Sequence, residues 1–520
     1  MRQTKTFGLN LFDGSDKVRY GKINENTEKI DAALREATPT VGDIRLSLND
    51  LETESGGVFL ALDGRTIDVE NDYPGLANVY DLNHRLGDAE EELAPSNANG
   101  ISFLTGTRGV RLDGNFFYMY KYDVSGSAKD YNYAAVLKAD GTISNRLVRC
   151  AVWLGECAGQ IVVLQDDDAL VAYVFESDGT QVRSVELSSS SVTVRDVRAL
   201  ENGGLLIVDK NGKGWYTADN FATYGACTWD GGTSAGTIPE GKLSGDVGRT
   251  IYEVDGAVYV LVKTTTSAMD TLTAWRSTDG RAFVKQWEFT PEAREAAVAN
   301  GSTACAILAA VPHDGAFAVV VKYQLQAGTS VGTTGAGTYI TYKHYGNLCE
   351  NRHIHAETGE TLLTKEYPGG CGADTGFTAD GALYLCGSYI TSIGAVDATA
   401  PAPGLVNTVD VSVKMDLDTL EMEKAALMDG LSRDLDYYVY VEKVNCLVCT
   451  VGTQMQAVNL ETGKSATLNG PQTEEEEDSG MPFLPDGGDK LYYPYDSGVA
   501  AIDLSKRKLY EMDFGYIKAK

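Results

Sequence analysis

Short apolar runs alternate with turn residues along most of the chain. From residue 101 onward two patterns take turns. The first is a turn followed by an apolar run: "DGNFFYMYKY" from 113, "GQIVVLQ" from 159, "NGGLLIVDK" from 202, "DGAVYVLVK" from 255, "DGAFAVVVKY" from 314, "DGALYLCGSY" from 380, "VNCLVCTVG" from 444 and "GDKLYYPY" from 488. The second is a strand–turn–strand pattern: "VLKADGTISNRL", "YVFESDGTQVRSVEL", "WYTADNFATYGACTW", "AWRSTDGRAFVKQWEF", "HIHAETGETLLTKEY", "VKMDLDTLEMEKAAL", "VNLETGKSATL" and "IDLSKRKLYEMDF". Each occurs eight times and the two strictly alternate. Apolar runs of this length bounded by Gly, Asp and Asn predict strands and hairpins rather than helices.

The spacing of the first pattern runs from 43 to 66 residues. A fixed order at that period is the signature of a propeller blade, since solenoid rungs repeat every 20 to 35 residues. Four short strands fill such a repeat. The Asp-Gly, Asn-Gly and Thr-Gly turns supply the positive φ that tight hairpin loops require. Residues 101–520 are therefore expected to form a β-propeller of about eight (seven to eight) blades, in a mainly β chain. Ring closure has two candidates: eight complete four-stranded blades in order, or residues 102–112 joining the last strands. The fifth and sixth repeats carry insertions, "LQAGTSVGTTGAGTY" and "TSIGAVDATAPAPGLVNT". These read as loops and as candidate contact surfaces.

The front of the chain is patterned differently. Residues 1–40 read as an extended arm, with Phe7, Leu9, Leu11 and Phe12, followed by a helix. Asn24 or Asn26 can cap that helix, and Ile23, Ile30 and Leu34 give it a narrow apolar seam. So short a helix needs a partner surface or copies of itself. Residues 41–85 read as a small α+β unit. It has a strand over 41–46, a strand over 58–62 ended by Asp63-Gly64, and a short helix starting at Pro74 with Leu76 and Val79 inward. Residues 86–100, "LGDAEEELAPSNANG", read as a linker, so that 41–100 form an adaptor plus linker.

Composition narrows the function classes. The net charge of −29 argues against nucleic acid or an anionic membrane as the main partner, because binders of phosphate present a basic face. No run approaches the length needed to span a bilayer, and the N-terminus carries no secretory pattern. The nine cysteines are scattered and are expected to be buried free thiols of a reducing compartment. Cys446-x-x-Cys449 lies in an apolar strand-like run, so core packing is its expected role.

Chemistry is sparse. His353-x-His355 places two imidazoles on one face of a strand, within a hairpin where exposure or local packing accounts for them. His84, His313 and His344 form no spacing typical of a metal site. Arg146, Arg149, Arg195, Arg198 and Arg249 are present, but the carboxylates are too many for sequence to select a catalytic pair. "GTTGAG" at 332–337 lacks the lysine and the strand–helix setting of a phosphate loop. No catalytic, cofactor or metal residue is assigned, and no cofactor is expected.

Two local resemblances add to this. Ser277, Asp279, Gly280 and Phe283 in "WRSTDGRAFVKQW" resemble an Asp box, a structural turn of sialidase-like and related propellers. "YTADNFATYGACTW" is a degenerate copy with Asn220 in the glycine position. The sialidase family's early Arg-Ile-Pro motif is absent. "GLNLFDGSDKVRYGKINENTEKIDAAL" resembles the N-terminal virion-attachment segments of phage and prophage tail fibres. The following segment is similar to a phage tail-collar domain through Gly42, Asp43, Ile44, Asp63, Gly64, Tyr73, Pro74 and Leu76, with Phe59 and Leu62 replacing the usual Trp and Cys. That match covers about 40 residues.

These resemblances imply a structural and binding component of a phage or phage-like tail, fibre or baseplate, rather than an enzyme. Phe7, Leu9, Leu11, Phe12, Ile23, Ile30 and Leu34 would attach the particle. The implied partners are other tail or baseplate proteins, a host-surface receptor (protein or glycan) and copies of the chain itself, with a trimer favoured. The implied location is the virion tail, assembled in the host cytoplasm. A propeller glycosidase or depolymerase acting on surface polysaccharide is one alternative, and a baseplate or fibre component with no receptor is another.

Overall fold

A computed structural model describes residues 2–3, 10–11, 44–46, 59–76, 82–93, 109–122, 131–236, 249–266, 269–294, 304–333, 339–373, 375–395, 405–425, 437–451, 454–470, 482, 484, 488–495, 498–509 and 511–518. Two compact units result: residues 1–83 with 505–520, and residues 84–504.

The large unit is built from antiparallel meanders. The first sheet joins Gly109–Leu112, Asn115–Tyr122, Tyr131–Leu137 and Ile143–Arg149 in sequence order. The same meander recurs over 151–188, 194–226, 251–289, 305–367, 375–424 and 437–467, giving the second to seventh sheets. An eighth sheet joins Lys490–Tyr495 and Gly498–Asp503 to Glu90–Leu93. The first seven sheets are the alternating patterns made physical: the first pattern is the opening hairpin of each sheet, and the second is its outer hairpin.

The local reason is turn chemistry. Asp113-Gly114, Asp255-Gly256, Asp314-Gly315 and Asp380-Gly381 all have positive φ at both residues, the geometry that a two-residue hairpin loop demands. The outer hairpins are pinned by side chains instead. Asp140, Asp178, Asp416 and Asn459 each accept hydrogen bonds from a Thr two or three residues on.

Packing closes the circuit. Each buried cluster is shared by two neighbouring sheets. Phe117, Val136 and Leu154 join the first to the second, and Leu164, Leu205 and Trp215 the second to the third. Val208, Trp229 and Phe283 join the third to the fourth; Tyr259, Phe317 and Ile354 join the fourth to the fifth. Val320, Leu385 and Met415 follow, then Phe377, Leu447 and Val458, then Val448, Leu491 and Ile502. The last cluster, Phe116, Leu137, Tyr492 and Val499, returns from the eighth sheet to the first. A ring of sheets each packed on two neighbours is the propeller expected from the sequence. Radial packing leaves only short edges exposed, which keeps so many strands from pairing with other chains.

Closure differs from both sequence candidates. Gly109–Leu112 opens the first sheet, and the strand that completes the eighth is Glu90–Leu93. Residues 86–100 were expected to be a linker on their acidic composition. Instead Leu86 and Ala89 are buried with the seventh and eighth sheets, and Ala89 N donates to Asn469 O. An edge strand draws its binding from backbone bonds, so its side chains need not alternate.

The hairpin "IDLSKRKLYEMDF" is also divided. Gly498–Asp503 stays in the eighth sheet, whereas Lys506–Lys508 and Glu511–Lys518 belong to the small unit. There Glu511–Lys518 lies between Ile44–Leu46 and Phe59–Asp63, and Lys506–Lys508 pairs with Thr66–Asp68. Leu60, Leu62, Ile67, Val69, Leu76, Leu82 and Leu509 form this unit's core, with Tyr73 against it. Pro74–Leu76 is a single 3-10 turn.

The cysteine expectation needs correction. Cys349 and Cys371 form a disulfide, while Cys150, Cys157, Cys227, Cys305, Cys386, Cys446 and Cys449 are free thiols. Cys349 pairs in register with Tyr367, so the fold-back of one strand brings together cysteines 22 apart in sequence. Cys446 and Cys449 are fully buried, in different clusters on opposite faces of one strand, and so serve packing.

Candidate functional site

Over their described residues, the insertions expected to be loops run mostly as strands. Ala316–Thr333 and Tyr339–His355 form a long hairpin in the fifth sheet, and Ala382–Ala395 and Val406–Asp416 form another in the sixth. Their far ends pair with one another, Thr341 to His344 against Ala395 to Ser392. The result is a four-stranded extension continuing both sheets. Loops would have left these backbone groups to water; pairing satisfies them and stiffens the extension.

Register sorts its side chains. Thr329, Lys343, Ile393 and Val406 lie opposite one another across the four strands, and Val331 lies opposite Thr341. Because side chains alternate along a strand, Val331, Tyr339, Thr341, Lys343, Ile393 and Val406 share one face. Val331, Tyr339 and Val406 are 67%, 71% and 46% exposed. Three large apolar groups open to solvent on one face of a rigid sheet form a candidate contact surface. The other face is occupied. The Tyr342 ring lies across Gly332 and Gly394, whose Cβ atoms would fall 2.9 Å from it, and Ile340 is buried beside it.

A second feature is a cavity of about 450 Å³. The first strands of the first, second and third sheets line it through Val110, Trp153, Glu156 and Arg198, together with Arg249 and Val439. Glu156 is the single carboxylate among the described lining residues. Asp196 stands two residues from Arg198, but it accepts the Thr250 and Ile251 amides at 2.7 and 2.9 Å. Burial raises its pKa while those amides oppose the rise. Its role is to join the third sheet to the fourth.

The Asp box has the expected geometry. Asp279 Oδ1 accepts from Ser277 Oγ and from the Arg281 and Ala282 amides, each at 2.8 Å. Burial pushes the Asp279 pKa up, the amides and the hydroxyl push it down, and the net effect is a lowering. Gly280 has φ +73, and its Cβ would lie 2.7 Å from the Tyr216 ring. Phe283 is 1% exposed and stacks on Trp229 with centroids 4.4 Å apart. The degenerate copy keeps the design: Asp219 Oδ1 accepts from Thr217 Oγ1 and the Thr223 amide, and Asn220 takes the glycine position at φ 49. Both turns are structural.

Of the attachment residues, Leu11 lies in Asn10–Leu11, which pairs with Arg2–Gln3. Phe7, Leu9, Phe12, Ile23, Ile30 and Leu34, and the helix expected there, lie outside the described residues, as do Gly42, Asp43 and Val79. His355 Nδ1 accepts the Thr358 amide at 3.1 Å, the local packing expected for it. One gathering escaped the sequence. His313, Asp314 and Asp418 come together although His313 and Asp418 are 105 residues apart, so no spacing motif could have flagged them.

No family model matches the chain, and no curated protein matches it. Among solved structures, the Dos1 propeller covers 80% of this chain and 96% of its own length at 10% identity and TM-score 0.40. The quinohemoprotein alcohol dehydrogenase ADHIIG from Pseudomonas putida HK5 covers 81% and 79% at 12% identity and TM-score 0.37. The N-terminal domain of Nup159 covers 91% and 98% at 11% identity and TM-score 0.32. Likeness at this level bears on no function, and the propeller assignment rests on the chain's own sheet order and packing.

Proposed function

We propose that this chain is a structural and binding component of a phage or phage-like tail, whose N-terminal segment attaches to the particle and whose eight-sheet propeller contacts the host surface. The observation that carries the binding half is the paired-hairpin extension, with Val331, Tyr339 and Val406 exposed on one face of a hydrogen-bonded sheet. Natural surfaces scatter large apolar groups singly, so three on one face of a projecting element favour a partner. Tyr339 adds a flat apolar ring with a polar tip, suited to protein or sugar. The attachment half rests on the sequence resemblance of residues 1–85 to tail-fibre and tail-collar segments. Assembly with tail proteins and a trimeric state belong to this proposal.

A glycosidase reading has one observation in its favour, the cavity holding Arg198, Arg249, Trp153 and Glu156. Glycoside hydrolysis by two carboxylates needs a second acid within about 5–9.5 Å, and Glu156 has no second carboxylate beside it among the described lining residues. The binding reading is therefore preferred.

The test uses fluorescently labelled full-length chain and intact cells of the bacterium whose genome or lysate carries the coding sequence. Saturable binding is expected, falling at least tenfold in a Val331→Ser/Tyr339→Ser double variant of unchanged thermal stability. Equal binding by the double variant sinks the contact surface. Immunogold labelling placing the chain away from any tail sinks the particle assignment, and release of reducing sugar from host polysaccharide would favour the enzyme.

A further inference from the structure

His313 ends the strand Cys305–His313, and Asp314 occupies the left-handed position of the turn that follows. Asp418 sits in the outer turn of the sixth sheet. That turn is held firmly: Asp416 Oδ1 accepts the Thr419 amide and hydroxyl at 2.8 Å, and buried Asn351 Nδ2 donates to Leu420 O at 3.0 Å. Three ligand-bearing groups therefore stand on pinned backbone from two neighbouring sheets. His313 Nε2 is 2.7 Å from Asp418 Oδ1 and 4.0 Å from Asp314 Oδ2. One ligand atom from each lies within 4.8 Å of the other two.

A second imidazole accompanies them. The His353 ring stacks on His313 with centroids 5.8 Å apart and planes 28° from parallel. Its Nε2 is buried without a hydrogen-bond partner, while the ring bonds the Leu417 backbone. A ring nitrogen that donates to a backbone carbonyl fixes the tautomer and leaves the other nitrogen's lone pair free.

A surface His–Asp hydrogen bond explains the 2.7 Å contact alone. It does not explain a second imidazole whose Nε2 is buried without a partner beside the same two carboxylates. We propose that His313, Asp314 and Asp418 bind a divalent transition-metal ion, with His353 completing the set by a side-chain turn. Mixed imidazole and carboxylate ligands suit Zn²⁺, Co²⁺ or Ni²⁺, whereas Ca²⁺ and Mg²⁺ prefer oxygen alone. On binding, the ion takes the Nε2 lone pair of His313 in place of the contact with Asp418, and the imidazole keeps its one proton on Nδ1. The ion then clamps the inner turn of the fifth sheet to the outer turn of the sixth, at the opposite end of these sheets from their paired extension. This inference stands apart from the proposed function.

The experiment is calorimetric titration of Zn²⁺ into untagged, chelator-treated full-length chain, repeated with Co²⁺ and followed by absorption. One ion per chain is expected, and excess Mg²⁺ should not displace it. His313→Ala and Asp418→Asn should each weaken binding at least about tenfold. His344→Ala, on the extension, should leave it unchanged. Affinity should fall in acid, because a metal binds the unprotonated imidazole. Circular dichroism and thermal unfolding in chelator establish that the variants fold. Absence of saturable binding, unchanged affinity in folded His313→Ala, or displacement by Mg²⁺ would each overturn the site.

Discussion

Replacing Phe283 with Ala tests the link between the Asp box and the ring. The Phe283 ring is 1% exposed, stacks on Trp229 at 4.4 Å, and belongs to a cluster drawn from the third and fourth sheets. Trp229 in turn meets Trp275 edge-on at 5.6 Å. Removing a fully buried phenyl ring costs about 3–5 kcal/mol through lost transfer energy and the cavity left behind. The backbone cannot collapse to fill that space, because Thr228 and Trp229 are paired in parallel with Ala282 and Phe283. The upper half of the range, about 4–5 kcal/mol, is therefore expected. An unfolding entropy of roughly 2.1 cal/mol/K per residue gives about 0.9 kcal/mol/K for a unit spanning 84–504, so Tm should drop by about 4–6 °C. The assay is urea unfolding followed by Trp fluorescence, with calorimetry for Tm. Phe283→Leu, which retains most of the volume, should lose less than half as much. A loss below about 1 kcal/mol in Phe283→Ala would refute the claim that this ring joins two sheets.

Two further outcomes follow from the same geometry. Asp279→Asn keeps the box's shape but removes its charge, and because the group is largely exposed the cost at pH 7 should be about 1 kcal/mol or less. The folded pKa of Asp279 lies below the usual 3.8, so its stabilisation is complete above that value and disappears as pH falls through the folded pKa; urea midpoints of the two proteins should converge in acid, below pH 3.8, and a gap that widens in acid would contradict this. Closing a loop across 22 residues, the Cys349–Cys371 bond should contribute about 3 kcal/mol, lost on reduction or in Cys371→Ser. Thiol titration of the unreduced, denatured chain should find seven thiols rather than nine, and nine would refute the bond.

The propeller was legible because its determinants are local and repeated. Asp-Gly turns such as Asp113-Gly114 and Asp380-Gly381 fix hairpin positions wherever they occur, and the apolar runs between them are long enough to bury. The Asp box was legible for the same reason, since Ser277, Asp279 and the amides they bind lie within six residues. The extension is not legible in the sequence, because "LQAGTSVGTTGAGTY" is rich in Gly and Thr and gives no periodic apolar signal. Its strands exist because Thr341–His344 find partners in another repeat's insertion.

The sequence by itself determined the repeat, the turn types and the burial of each sheet's central strands, all set by neighbours a few residues apart. Only tertiary structure decided which strands meet across long separations. It put Glu90–Leu93 in the eighth sheet, sent Glu511–Lys518 between Ile44–Leu46 and Phe59–Asp63, and joined Cys349 to Cys371. It also brought His313 to Asp418. Backbone pairing accepts almost any side chain at a sheet edge, so such partners leave no mark in the local pattern and are selected by where the rest of the chain has already packed.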